Sequence, residues 1–228
     1  ILFATDNKFG VKYFSGAFEQ NTSLIFGSLQ KESDSDNPLP SKKDIEEVLK
    51  KLEFRNYRFF YPLPDYHVPA VIFTDGYLPQ RNDSKLVYPL NYTSNSVVVM
   101  NEIKLLRQFA NNNNFEFFAN SYIIEISNSN LKDDLALYIS FNNIRKEEYR
   151  MVTKIKNTYV EKEVRNNYAT KHMLSIAKNI SNLKKLGFNL LDSYDEKNKK
   201  LISNFSKYEQ FSSFLIELIK KNDMNEFK

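Results

Sequence analysis

Phe59-Phe60-Tyr61-Pro62-Leu63-Pro64-Asp65-Tyr66-His67-Val68-Pro69 is the stretch on which the reading of this chain turns. A strand-like run ending at Tyr61 meets three prolines within eight residues. Each proline fixes its own φ and biases the residue before it towards extended backbone. A strand over 55–61 is therefore expected to stop near Tyr61 and pass into a stiff loop. That loop presents two tyrosines, an aspartate and a histidine. Such tips on a rigid loop at a strand's C-terminal end suit a ligand site at the edge of an open α/β sheet. The alternative is an ordinary surface connection.

Upstream, Ile1-Leu2-Phe3-Ala4-Thr5 reads as a buried strand from its first residue. A buried strand needs partners on both sides, so an upstream portion of the same protein is expected to be missing. Asp6-Asn7-Lys8-Phe9-Gly10 follows as a polar strand end with a glycine turn. Ser41 with Asp44 three residues on predicts an N-cap pair. Ile45, Val48, Leu49 and Leu52 repeat at helical spacing, so 42–52 is read as an amphipathic helix. A helix leading straight into a strand is half of a βαβ unit. Downstream, a short strand over 70–79, a helix over 102–110 and a strand over 115–126 are expected. Asn120 falls inside that last strand and is read as a buried, satisfied structural group.

Residues 1–126 are thus expected to form an α/β domain with a mostly parallel sheet, and 127–133 a linker. From 134 to 228 the pattern changes to a strand meander over 135–141, 148–156 and 158–164. Strands in such quick succession are antiparallel. A helix over 168–186 with Met173, Ile176 and Ala177 on its apolar face follows, closed by Gly187. A strand over 200–204 and a last helix over 208–220 complete a small α+β domain.

Composition narrows the function. A net charge of +4 spread over interleaved Lys and Glu is too mild for a nucleic-acid binder. No apolar run reaches the roughly 18 residues of a membrane span, so no transmembrane segment is expected. The absence of cysteine and of a secretory leader pattern points to the cytoplasm. With no Cys and only His67 and His172, a zinc cluster is not expected. Neither a G-x-G-x-x-G, nor a Walker loop, nor a G-x-S-x-G elbow is present.

A resemblance supplies what spacing does not. Asp6-Asn7-Lys8-Phe9-Gly10-Val11-Lys12-Tyr13-Phe14-Ser15-Gly16-Ala17 resembles the "ENRxGLKYFAGA" segment of a family of class I S-adenosylmethionine-dependent methyltransferase domains. These domains occur in proteins that build cell-surface polysaccharides. Residues 60–66 are similar to its "YYPYPDY" segment, 72–79 to "IFSDxxLP", and Phe118-Ala119-Asn120-Ser121-Tyr122 to "FANSF". The family's "EDHTG" stretch stands here as Glu19-Gln20-Asn21-Thr22-Ser23, which keeps only the Glu and the Thr.

The resemblance implies the rear half of a Rossmann-like methyltransferase sheet. Its cofactor, S-adenosylmethionine, would meet a glycine-rich turn lying before residue 1. It implies a catalytic group of Asp6, Asn7 and Tyr13, with Asp6 as base. Lys12, Glu19, Tyr61, Asp65 and Tyr66 would contact a glycan or glycolipid acceptor. The later part is similar to the small lobe of a kinase-like phosphotransferase, on Tyr149–Ile155 and Val160–Val164. There Lys162 would hold nucleotide phosphates, paired with a helix acid. The helix carries no Glu between Tyr168 and Leu186, and a solvated strand lysine is the alternative.

Two functions follow as expectations. One is part of a methyltransferase acting in cell-surface glycan biosynthesis. The other is a non-catalytic interaction module of a multidomain glycan-assembly protein.

Overall fold

A computed structural model describes residues 1–30, 38–80, 86, 98–131, 135–142, 145–164, 169–182, 191–195, 200–204 and 213. The chain divides into two compact units, Ile1–Asp133 and Asp134–Lys228.

The first unit begins with β1 (Leu2–Asp6), which leads through Gly10 into a single helical turn, α1 (Val11–Phe14). Gly10 packs on the backbone of Asn120 so closely that an added Cβ would sit 3.1 Å from its Cα and its O. A second turn, α2 (Gly27–Gln30), precedes the ten-residue α3 (Lys42–Lys51). Ser41 caps α3 as the spacing predicts: its hydroxyl accepts from the Asp44 N–H, and the Asp44 carboxylate accepts from the Ser41 N–H at 2.8 Å. Of the four apolar positions read for this helix, Ile45 and Leu49 are buried, while Val48 and Leu52 are exposed.

Strand β2 (Asn56–Leu63) runs two residues beyond the expected stop, through Pro62, before the loop begins. Its ladder to the next strand inward ends at Phe60, so beyond that point β2 has a single neighbour and the missing proline N–H breaks no central ladder. Next come β3 (Val71–Thr74), α4 (Glu102–Asn111), the turn α5 (Phe115–Phe118) and β4 (Ser121–Ser127). Residues Phe115–Phe118 were expected as strand and are helical. Phe115 instead drives its ring between Tyr61 (5.9 Å) and Phe73 (5.4 Å) at the centre of the core.

The strand order in this unit is β1-β4-β2-β3, and every pairing is antiparallel. The mostly parallel, Rossmann-like sheet expected here is not what these strands form. The reason is local. The Asn7 side chain donates to the carbonyls of Phe117 (2.8 Å) and Ala119 (2.7 Å), and its N–H donates to the Asn120 carbonyl. These bonds fasten the start of β4 beside the end of β1, so β4 must run back against it. Inserted between β1 and β2, β4 leaves those two pointing the same way. Both deliver their C-terminal ends to one edge of the sheet. On one face of the sheet the fully buried Phe59, Tyr61, Leu63, Tyr122 and Ile124 form the core, with Phe73 and Phe115.

In the second unit, β5 (Tyr138–Ser140), a 3-10 turn at Glu147–Tyr149, β6 (Met151–Ile155) and β7 (Tyr159–Val164) make the expected antiparallel meander. Helix α6 (Thr170–Asn182) buries Met173 and Ala177. A strand that the sequence reading missed, β8 (Leu191–Asp195), pairs with β9 (Lys200–Asn204), and β9 with β7. Gly187 and the helix read over 208–220 lie outside the described residues, apart from residue 213.

The α3 cap gives a direct check. Ser41→Ala should lower the stability of the first unit by about 1 kcal/mol in urea unfolding. A loss under about 0.3 kcal/mol would mean the box is not held in solution.

Candidate functional site

At the edge where β1 and β2 end, three charged side chains leave solvent together. Lys12, the second residue of α1, donates from Nζ to Asp6 Oδ1 at 2.7 Å. The same ammonium stands 3.8 Å from Asp65 Oδ2, in the proline loop after β2. All three are buried, Asp65 completely. Asp6 and Asp65 therefore lie at the same end of the sheet, on either side of one lysine. The Lys12 ammonium also sits over the Tyr13 ring, 5.3 Å from its centroid.

Asp65 is held by its own loop. Its Oδ1 accepts from the His67 N–H at 2.9 Å, a local turn bond that aspartate favours. Its Oδ2 makes no hydrogen bond, and His67 Nδ1 is 3.6 Å away. Tyr66 stacks on the His67 ring at 4.0 Å, and His67 and the following Val68 are open to solvent. The loop is tied to the sheet by the Tyr66 N–H, which donates to Ser121 Oγ.

Tyr13 lies under this cluster, 1% exposed. Its phenol is pushed well above the ordinary value, first by burial and then by the charges of Asp6, Glu19 and Asp65. Tyr66 is pushed up in the same sense, by burial and then by Asp6 and Asp65. Glu19 is fully buried: its Oε2 accepts from the Ser28 N–H (2.8 Å) and hydroxyl (2.6 Å), fixing the 19–28 loop, while its Oε1 makes no hydrogen bond.

Two residues expected at the site have other work. Asn7, fully buried, spends both amide donors on Phe117 and Ala119, and its oxygen accepts from the Phe9 N–H at 3.1 Å, so its side chain holds the backbone together. Tyr61 ends on a different face and joins a second cluster. Its hydroxyl donates to Asp75, accepts from Lys42 Nζ at 2.9 Å and lies 3.3 Å from Glu116 Oε2. Burial, and then the Asp75 hydrogen bond, push this phenol up. Burial pulls the Lys42 ammonium down, but its Glu116 hydrogen bond and the charges of Asp75 and Glu116 outweigh it, so the net shift is upward.

Asn120 is the residue whose importance spacing understated. It is buried, its Oδ1 accepts from the Lys12 N–H at 2.7 Å, and its Nδ2 donates to the Pro64 carbonyl (2.9 Å) and Glu102 Oε1 (2.7 Å). One side chain thereby sets α1, the proline loop and α4 in register. A surface groove lined by Lys43, Glu46, Glu47, Lys50, Phe54, Arg55 and Tyr57 lies at the other end of β2, away from the cluster.

In the second unit, Lys162 donates to Thr153 Oγ1 at 3.4 Å, and burial, then Arg145, lower its ammonium pKa. The strand's acids, Glu161 and Glu163, point to the opposite face, where they meet Lys154 and Lys200. α6 offers Lys162 no acid.

Among the described residues no group of three acidic, histidine or cysteine side chains is placed to hold a metal ion, and no helix is long and apolar enough to cross a membrane. Comparison of the chain with protein-family models, curated proteins and solved structures finds no match.

The tyrosines predict a pH dependence. Their folded pKa values lie above the unfolded value near 10, so their contribution to stability is complete below pH 10 and is lost as the pH rises beyond it. The urea midpoint should fall steeply above about pH 10, and less steeply in Tyr13→Phe. Parallel curves for the two proteins would show that Tyr13 is not buried beside the carboxylates.

Proposed function

We propose that the first unit carries the acceptor side of a methyltransferase-like protein that acts in cell-surface glycan biosynthesis. The observation that carries the reading is the Asp6–Lys12–Asp65 cluster beneath the stacked Tyr66–His67 pair, at the common end of β1 and β2. Buried carboxylates are strong acceptors for hydroxyl donors, and an exposed aromatic beside them gives a sugar ring an apolar surface to lie on. The residues in play are also those of the segments that resemble the methyltransferase family, with Asp6, Lys12, Tyr13, Asp65 and Tyr66 as the acceptor group.

The described residues do not fit S-adenosylmethionine. The junction after β1 is closed by Asn7 and by Gly10 packed on Asn120, and no glycine-rich turn cradles a cofactor. Methyl transfer therefore needs a cofactor site beyond these residues. The second reading, a non-catalytic interaction module of a multidomain glycan-assembly protein, needs no cofactor site among these residues. The kinase-like reading of the second unit, with Lys162 at a nucleotide, lacks its helix acid.

Two titrations test the proposal on this chain. Calorimetry with S-adenosylmethionine should show no binding in the micromolar range, and micromolar affinity would mean a cofactor site that the cluster does not explain. Oligosaccharides released from bacterial cell-surface polysaccharide should shift the amide resonances of Asp65, Tyr66 and His67. No shift there, with shifts elsewhere or none, would remove the acceptor role.

A further inference from the structure

We draw no further inference here: the strongest candidate, the outer edge of β1, where Ile1, Leu2 and Phe3 are exposed at the end of the strand order, is an apolar strand edge and nothing in the structure shows what covers it.

Discussion

Asn120 is the constraint on which the rest of the first unit depends. Its one amide group bonds the backbone of α1, the carbonyl of Pro64 and the carboxylate of Glu102, all in the protein interior. Three segments distant in sequence meet there, and each bond fixes where one of them lies. The Lys12 N–H position decides where the Lys12 ammonium falls, and the Pro64 carbonyl decides where Asp65 falls. Buried polar networks of this kind carry a penalty for every group left unpaired, which is why a fully satisfied one specifies a single arrangement. Asn7 does the same for the strands by pinning the turn before β4 to the end of β1.

From that frame the electrostatics follow. Lys12 lies between two carboxylates because α1 begins directly after β1 and the proline loop folds over the same edge. Desolvating an ammonium is costly, and a carboxylate on each side is what offsets it. The cost is not fully met for Asp65, whose second oxygen has no hydrogen bond. The Lys42–Tyr61–Asp75–Glu116 cluster contrasts with this. There, the Tyr61 hydroxyl, the Lys42 ammonium and two partly exposed carboxylates are bonded to one another, which makes it a brace between α3, β2 and α5.

Sequence reading found what short-range physics determines. The Ser41–Asp44 cap, the burial of Ile45 and Leu49, and the antiparallel meander of β5 to β7 each follow from residues a few positions apart. It placed Asp6 and Asp65 at one sheet edge, because strands ending in the same sense end on the same side. It did not foresee β4 between them, since that depends on Asn7 reaching residues 117 and 119. Tyr61 was assigned by its position at the strand end and not by its face. Alternation along β2 puts it with Phe59 and Leu63, towards Phe115 and Tyr122. The strand read through Phe115–Phe118 failed for a related reason: aromatic residues favour strands, but packing of Phe115 into the core overrides that preference.

The central claim is that the Lys12 ammonium binds Asp6 and Asp65 into one buried unit. Double-mutant cycles measure that directly, with Lys12→Met paired in turn with Asp6→Asn and Asp65→Asn and stability read from urea unfolding. The structure predicts coupling of about 1–3 kcal/mol in each cycle, since each double variant removes the charge that the single variant strands. Additivity within about 0.5 kcal/mol in both cycles would contradict it, placing the three side chains apart in solution.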